Sequence, residues 1–262
     1  MPYANTGCRI LAVAALYKQA PDESHALSSF FRILDEDPIM AGHFSLVVYD
    51  NSPHAHDAVA GVSVDYVHDP SNGGLAAAYN YALQRAIKSG FEWLLLLDQD
   101  TTLTAEFLTE LIACANSLQS RDMVAAIVPK LIAEGAIRSP AEHFIDYIRH
   151  QFTRTLKTLD KDVGLQEGRI SAYNSGATLS VPILQSVGGF PEEFWLDYLD
   201  HAVFDALSTA GYRVYVLRSV LEHRDGPPGP PAQRRERHLH RRANRARGSR
   251  VGNCADLAEH RF

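Results

Sequence analysis

Trp93-Leu94-Leu95-Leu96-Leu97-Asp98-Gln99-Asp100 is the stretch of this sequence that decides the fold. An unbroken apolar run of this length is typical of a parallel strand buried on both faces. In open α/β sheets, ligands bind just beyond the carboxyl ends of such strands. Asp98 and Asp100 are two residues apart, so their side chains point the same way in extended chain. Two carboxylates at a strand end suit a hard divalent cation that carries phosphate oxygens. The stretch therefore predicts a metal and phosphate site at a sheet edge.

Strands and helices alternate on both sides of this stretch. We expect further strands at 9–16, 44–49, 62–67, 124–128, 172–181 and 213–217. We expect helices at 23–34, 75–88 and 104–118, a short helix that ends at 187, and a helix at 194–210, at least from residue 199 on. Such alternation indicates βαβ units. The segment 138–167 mixes charged and aromatic residues and is predicted to be irregular. The predicted fold class is α/β, a Rossmann-like, mostly parallel central sheet with flanking helices.

Composition sets broad limits on the class of protein. A chain of 262 residues with 46% hydrophobic residues has the composition of a globular protein with a full core. Its three cysteines are far apart and form no CxxC pair, so neither a disulfide framework nor a zinc site is indicated. This cysteine pattern favours a reducing, cytoplasmic setting. No apolar run reaches the length that spans a bilayer.

The net charge of −6 is unevenly distributed along the chain. Residues 224–262 hold ten arginines, no lysine and four acidic residues, a net charge of +6, so the remainder carries −12. We therefore divide the chain into one α/β domain at 1–223 and a basic Pro/Gly/Arg-rich tail at 224–262, predicted to be disordered. We favour a reading-frame shift near residue 224 as the origin of this tail. The alternative is a genuine basic tail that binds anionic lipid or nucleic acid.

Two other segments carry candidate binding residues. Asp50 ends the strand at 44–49, where an acid can accept hydrogen bonds from a base or ribose; the alternative is an Asp/Asn/Ser turn. Asn72-Gly73-Gly74 opens a helix, and its glycines permit a tight turn with close backbone approach. A helix N-terminus at this edge also attracts anions. The alternative is a plain loop-to-helix turn.

Acidic residues and a histidine recur near the end of the domain. Asp197 and Asp200 are three residues apart, on one helical face, among aromatic residues. An acid in such surroundings can have a raised pKa and act as a general base, although helices also favour acids in their first turn. His223 follows the last strand and is either a structural residue or a further metal ligand.

In this order, the segments resemble the family 2 glycosyltransferases of the GT-A fold, and in particular their bacterial rhamnosyltransferase branch. The matching segments are 13–17, 47–52, 72–74, 94–100, 174–177, 188–190, 194–200 and residue 223. The resemblance implies a hexosyltransferase that is located in the cytoplasm. It is also compatible with a position at the inner face of the membrane. The enzyme would move a sugar from a nucleoside diphosphate to an acceptor hydroxyl with inversion. The branch implies rhamnose from dTDP-rhamnose, a glycan or lipid-linked acceptor, surface polysaccharide biosynthesis, peripheral membrane association and no nucleic-acid partner.

The resemblance also implies a role for individual residues. The nucleotide site would be formed by Ala14, Leu16, Tyr17, Asp50, Asn72, Gly73, Gly74 and Asp98. Asp98 would face the ribose or the metal. Asp100 and His223 would bind Mn²⁺ or Mg²⁺ on the diphosphate, and Asp200 would be the catalytic base.

Three features depart from the family pattern. Lys18 stands where the family often has Asn, and Ala202 and Ala206 replace an acid and an Arg that usually follow the catalytic base. The chain after His223 lacks the ordered helical segments of the family. The alternative function is therefore a catalytically inactive or truncated nucleotide-sugar-binding protein. A sugar-phosphate nucleotidyltransferase is disfavoured, because residues 16–19 offer no Gly-rich phosphate loop.

Overall fold

A computed structural model describes residues 8–57, 64–118, 122–148, 151–196 and 198–223. Its strands are β1 Ile10–Leu16, β2 Phe44–Asp50, β3 Val64–His68, β4 Trp93–Asp98, β5 Thr101–Thr102, β6 Val124–Ala133, β7 Ala136–Ser139, β8 Ala141–Ile148, β9 Gln151–Thr158, β10 Gly164–Gln166, β11 Ile170–Ser171, β12 Thr178–Ser180 and β13 Arg213–His223. Its helices are α1 His25–Glu36, α2 Pro38–Ala41, α3 Gly74–Ser89, α4 Ala105–Ser117, α5 Val181–Ser186 and α6 Leu199–Thr209. None of the helices in these ranges combines the length and apolarity that crossing a bilayer requires.

The large sheet has the strand order β10-β13-β6-β12-β4-β1-β2-β3, and this confirms the predicted α/β class. Strands β3, β2, β1 and β4 are mutually parallel, and β6 is parallel to β13. The short strand β12 is antiparallel to both β4 and β6, so it separates the two parallel parts. Because β1, β2 and β4 run in the same direction, their carboxyl ends meet at one edge of the sheet.

The leucine run of β4 packs on both faces of the sheet, as the sequence predicts. Leu94 and Leu96 belong to the core on the side of α3, α5 and α6, while Leu95 and Leu97 belong to the core on the side of α1 and α4. All four are at most 1% exposed. Burial of a leucine side chain stabilises the fold by about 1.5–3 kcal/mol, so this strand anchors both layers.

Helix α3 approaches the sheet closely through its small residues. Ala78, Ala82 and Ala86 are spaced four apart and fully buried, which places them on one face of the helix. The helix ends at Gly90, whose φ of +69° is the left-handed conformation that glycine adopts at low cost. The tight packing sets the N-terminus of α3 beside the carboxyl ends of the parallel strands.

The segment predicted to be irregular, 138–167, instead contains strands, and the prediction was wrong there. Strands β8 and β9 pair antiparallel along their whole length and form a second sheet of order β11-β8-β9. Main-chain N–H and C=O groups make this ladder, and every residue except proline supplies both. Mixed side chains therefore do not prevent the pairing, and the sequence pattern gives little sign of it.

Two boundaries also differ from the predictions. Of the strand expected at 172–181, only β12 at Thr178–Ser180 forms, and a turn at residues 174–176 separates it from β11, which ends at Ser171. Strand β13 runs on to His223 instead of ending at 217, because its last residues pair with β5 and β6. Two predictions, on Asp197 and on the tail 224–262, concern residues outside the described ranges.

Candidate active site

The candidate site lies at the carboxyl edge of the parallel strands. Leu16, Asp50 and Asp98 end β1, β2 and β4, and the strand register places Leu16 beside Asp50. Ala14 and Leu16 are fully buried. The main-chain N–H of Tyr17 donates to the side-chain oxygen of Gln99 at 3.0 Å, so the chain leaving β1 is tied to the acidic loop after β4.

The carboxylate of Asp98 is held by two hydroxyl groups from different elements. The hydroxyl of Tyr79, on α3, donates to Oδ1 at 3.0 Å, and the hydroxyl of Ser175, before β12, donates to Oδ2 at 2.6 Å. Burial raises the pKa of Tyr79 well above its ordinary value, and the charge of Asp98 adds to the effect. Tyr79 therefore remains a neutral donor, and Asp98 is fixed in one orientation.

Asp100 and His223 form the candidate metal-binding pair. The Nδ1 atom of His223 lies 3.3 Å from Oδ1 of Asp100 and 3.1 Å from the hydroxyl of Thr101. The pairing of His223 with Thr101 in the β13–β5 ladder brings the histidine here. Within the described ranges, no group of three His, Cys, Asp or Glu side chains has the arrangement of a metal site.

This donor set fits a divalent cation that is completed by substrate. Mg²⁺ is usually bound by one or two carboxylates with phosphate oxygens and waters, not by an all-protein cage. Imidazole and carboxylate are also ligand types found on first-row divalent metals. Asp100 and His223 supply two such ligands on one side, beside the oriented carboxylate of Asp98.

Asp200 lies in the first turn of α6 and is partly buried. Burial raises its pKa, and the charge of Asp98 raises it further, although His201 acts in the opposite direction. The main-chain N–H of His201 donates to Oδ1 of Asp200 at 2.7 Å. A raised pKa makes the carboxylate a stronger proton acceptor, as a general base requires.

A group of aromatic and imidazole rings borders Asp200. The Nδ1 atom of His201 lies 2.7 Å from the hydroxyl of Ser171 on β11, and the His201 ring packs edge-on against His143 of β8 at 5.7 Å. Tyr198 directly precedes α6; its ring centroid is 6.1 Å from that of His201, and the residue is 39% exposed. Tyr198 has a φ of +68°, which is uncommon for a bulky residue. Strands β8 and β11 of the second sheet thus pack against His201, the residue that follows Asp200.

Asp50 is fully buried, and both of its carboxylate oxygens accept hydrogen bonds within the protein. Its donors are the N–H of Ser52, Nδ1 of His56 and the hydroxyl of Tyr66, at 2.9, 2.8 and 2.6 Å. Burial alone would raise the pKa of Asp50, but these hydrogen bonds outweigh it and lower the pKa to about 2. Its role toward a base or ribose stays a prediction.

Asn51, next to Asp50, offers an acceptor that the sequence did not single out. Its side-chain oxygen is buried and finds no hydrogen-bond donor among the described residues. Buried polar atoms are nearly always paired, so an unpaired acceptor at this edge favours a ligand that brings a donor.

The turn 72–74 is held from two sides. The N–H of Gly73 donates to the carboxylate of Asp69 at 3.2 Å, and the N–H of Leu75 donates to the carbonyl oxygen of Trp195 at 3.0 Å. Hydrogen bonds, led by that from Ser71, lower the pKa of Asp69 despite its partial burial, so its negative charge already lies at the start of α3. The role of Asn72, Gly73 and Gly74 in nucleotide binding stays a prediction.

Besides Asn51, sequence reasoning missed four residues that support the site: Tyr79, Ser175, Asp69 and Trp195. Ser175 had a signal, because it lies in the Asn-Ser-Gly segment that carries the family resemblance. Tyr79 had a weaker one, a hydroxyl on the alanine-lined face of α3. Asp69 and Trp195 act through tertiary contacts that no local spacing reveals.

Comparisons with known proteins agree with this architecture. A sequence model described as Glycosyl transferase family 2 matches residues 44–178, just over half of the chain. A search of curated proteins found no match. Among solved structures, S. aureus TarS 1-349 is similar with a TM-score of 0.56 and 14% identity, over 82% of this chain and 60% of that one.

A second structure, GalNAc-T7 with UDP, GalNAc and Mn²⁺, is similar with a TM-score of 0.59 and 11% identity, over 85% of this chain and 45% of that one. TarS 1-349 in complex with UDP-GlcNAc gives a TM-score of 0.53 at 14% identity, over 84% and 60%. This chain thus spans less than two thirds of each of these structures, and at these identities the likeness establishes the fold. With the family match, it follows that the chain belongs to glycosyl transferase family 2 and has the GT-A fold.

Proposed function

We propose that this chain is an inverting, metal-dependent glycosyltransferase that moves a sugar from a nucleoside diphosphate to an acceptor hydroxyl. The observation that carries the proposal is the proximity of Asp98, Asp100 and His223 at one sheet edge. The Nδ1 atom of His223 lies 3.3 Å from Asp100 and 3.4 Å from the Ser175 hydroxyl that donates to Asp98. We call the first three residues with the turn 72–74 the donor side, and Asp200, His201 and Tyr198 the acceptor side.

Asp100 and His223 are the residues that would hold Mn²⁺ or Mg²⁺. A cation bound there offsets negative charge that builds on a departing diphosphate. UDP and Mn²⁺ in the GalNAc-T7 structure, and UDP-GlcNAc in the TarS structure, support a nucleotide-sugar donor for this chain too. Asp98, held by Tyr79 and Ser175, would orient the ribose or contact the cation. The buried oxygen of Asn51 would accept a hydrogen bond from the base.

Asp200 would act as the base on the acceptor side. Its carboxylate takes the proton from the acceptor hydroxyl while that oxygen bonds to the anomeric carbon. The bond from this carbon to the diphosphate oxygen breaks on the opposite face, which inverts the configuration. A positioned general base contributes about 10²–10⁴-fold to the rate. This single displacement needs no protein nucleophile.

The family resemblance supports the choice of donor sugar, and the residues packed around His201, next to Asp200, support the place where the acceptor binds. We propose rhamnose from dTDP-rhamnose as the donor sugar. A glycan or lipid-linked acceptor in surface polysaccharide assembly would contact the segment 138–170 and the start of α6. The exposed ring of Tyr198, two residues before Asp200, would contact this acceptor. The reaction would take place in the cytoplasm, at the inner face of the membrane.

A thermal-shift panel of UDP, dTDP, GDP and their common sugar conjugates, with and without Mn²⁺, tests this function. Ligands that bind the native state raise the melting temperature by mass action. We expect a metal-dependent rise that is selective for one nucleotide. No rise with any nucleotide, from a protein that still melts cooperatively, would refute the proposal. A rise without turnover of any conjugate would favour the inactive nucleotide-sugar-binding protein.

A further inference from the structure

The turn 72–74 and the segment before α6 are joined by two hydrogen bonds, although more than a hundred residues separate them. The indole N–H of Trp195 donates to the carbonyl oxygen of Asn72 at 2.8 Å. In the other direction, the N–H of Leu75 donates to the carbonyl oxygen of Trp195 at 3.0 Å. Both the side chain and the main chain of Trp195 are therefore hydrogen-bonded to the turn at the start of α3.

Gly74 shows how closely Trp195 fits this turn. A Cβ atom at position 74 would lie 2.3 Å from the carbonyl oxygen of Trp195, and 2.5 and 2.6 Å from its indole Cδ1 and Nε1 atoms. The φ of Gly74 is +77°, which an L side chain rarely adopts. Gly74 is therefore packed directly against Trp195, with no room for a side chain between them.

Trp195 is also the anchor of the chain that leads into the catalytic helix. It precedes Asp200 by five residues, and α6 begins at Leu199. On its other side, the N–H of Phe194 donates to the carbonyl oxygen of Pro191 at 3.1 Å and closes a turn. Trp195 thus connects the turn 72–74, on the donor side, to the segment that positions Asp200.

We infer that Trp195 is a positioning residue that couples nucleotide occupancy of the turn 72–74 to the placement of Asp200. This inference rests on the proposed function, since it takes the turn as part of the nucleotide site. In this coupling, a nucleotide that contacts the turn displaces the Asn72 carbonyl and the Leu75 N–H. Trp195 then moves with them, because it is hydrogen-bonded to both groups. The start of α6 then moves into the geometry for proton transfer. Coupling of this kind requires that both sites bias one shared element, which is the Trp195 segment.

The chain contains two tryptophans, Trp93 and Trp195, which permits a direct test. The variant Trp93→Phe leaves Trp195 as the single emitter, and Trp195→Phe leaves Trp93 as the matched control. Trp93 begins β4, five residues before Asp98 and roughly 16 Å from it along an extended strand. Each variant is titrated with UDP and with dTDP in the presence of Mn²⁺, and binding is measured independently by calorimetry. We expect the Trp195 emission to change with the calorimetric midpoint, and the Trp93 emission to stay constant.

Turnover of the donor found in the thermal-shift panel supplies the second readout. Trp195→Phe keeps an aromatic ring and removes the indole N–H. We expect kcat to fall about tenfold while the nucleotide Kd changes less than twofold, and Trp93→Phe to keep the wild-type kcat. A purely structural role would instead lower Tm and leave kcat of the folded fraction unchanged.

The outcomes separate this inference from the proposed function. Calorimetric nucleotide binding with constant Trp195 emission, or with an unchanged kcat in Trp195→Phe, overturns the inference and leaves the function standing. Absence of calorimetric binding to UDP and dTDP, together with no thermal shift from GDP or any sugar conjugate, refutes the proposed function and this inference with it. If Trp195→Phe does not fold, the emission of the Trp93→Phe protein alone tests the inference, because that variant retains Trp195.

Discussion

On the donor side, both carboxylate oxygens of Asp98 accept hydrogen bonds from hydroxyl groups of two different elements, whereas on the acceptor side Asp200 accepts a hydrogen bond from a main-chain N–H of its own helix. The groups that hold Asp98 are almost fully buried, while Tyr198 beside Asp200 is 39% exposed. The first arrangement is organised before any ligand arrives, which lowers the cost of reorganisation during reaction. The second leaves room for an acceptor to complete the site. The carboxylate of Asp98 is therefore held in place more firmly than that of Asp200, and on the proposed function the donor would meet a more ordered surface than the acceptor.

The largest effect is expected from Asp200→Asn, which removes the proposed base and keeps the shape of the side chain. We expect kcat to fall about 10²–10⁴-fold, because an amide cannot take the acceptor proton. Nucleotide binding should remain, since the variant leaves unchanged the two hydroxyl groups that hold Asp98. Turnover and calorimetry on the same preparation measure both. Asp205→Asn, an exposed acid on the same helix, is the matched control. Equal turnover of Asp200→Asn and the wild type would refute the assignment of the base.

Removal of a proposed metal ligand should weaken the donor side alone. For His223→Ala we expect the Mn²⁺-dependent part of the nucleotide thermal shift to disappear, with nucleotide affinity in Mn²⁺ reduced about 10–100-fold, the range seen when groups around a metal are removed. Nucleotide affinity measured in a chelator should be the same in the variant and the wild type. His25→Ala, an exposed histidine at the start of α1, is the control. A Mn²⁺ effect that survives His223→Ala would show that the metal lies elsewhere.

The buried carboxylate of Asp50 predicts a loss of stability in acid. Its folded pKa of about 2 lies below the ordinary value of 3.8, so its contribution is present above pH 3.8 and is lost as the pH falls toward 2. At 1.36 kcal/mol for each unit of pKa difference, this contribution is about 2 kcal/mol. Urea unfolding between pH 5 and pH 2.5 measures it. Asp50→Asn should flatten that part of the profile, whereas the exposed Asp35→Asn should not. Parallel profiles for all three proteins would contradict the argument.

Tyr79→Phe tests whether the orientation of Asp98 matters for turnover. The change deletes one hydrogen bond to a carboxylate, which is worth about 1.5–3 kcal/mol, so we expect kcat/KM for the donor to fall about tenfold or more. Tyr81→Phe is the matched control, because Tyr81 lies on the same helix and its hydroxyl is 3.5 Å from Asp65, away from the site. If both variants lose the same activity, the effect belongs to the stability of α3 and not to Asp98.

These two sides also differ in how far the sequence predicts them. The leucine run of β4 and the acids at strand ends were predictable, because apolar periodicity fixes the strands and parallel strands bring their ends together. The hydroxyls of Tyr79 and Ser175 were not, since each reaches Asp98 from at least 19 residues away. On the acceptor side, the second sheet was missed entirely, because its ladder depends on main-chain pairing that leaves little pattern in the side chains. Local pattern predicts elements and edges, but not the contacts between them.

The smallest effect is expected at Tyr198, where the acceptor side is most open. Loss of the exposed ring in Tyr198→Ala should raise KM for the acceptor several-fold, because contact area for the substrate is removed, while kcat changes little and nucleotide binding stays the same. Tyr198→Phe should restore the acceptor KM, since the ring and its packing near His201 are retained. Steady-state kinetics with varied acceptor at saturating donor separates these cases. The left-handed φ of Tyr198 provides a further variant, because Tyr198→Gly fits that backbone without strain yet has no ring. If Tyr198→Gly keeps the wild-type acceptor KM, residue 198 matters for the backbone turn into α6 and does not contact the acceptor. The contrast between an ordered donor side and an open acceptor side would then have to rest on another residue.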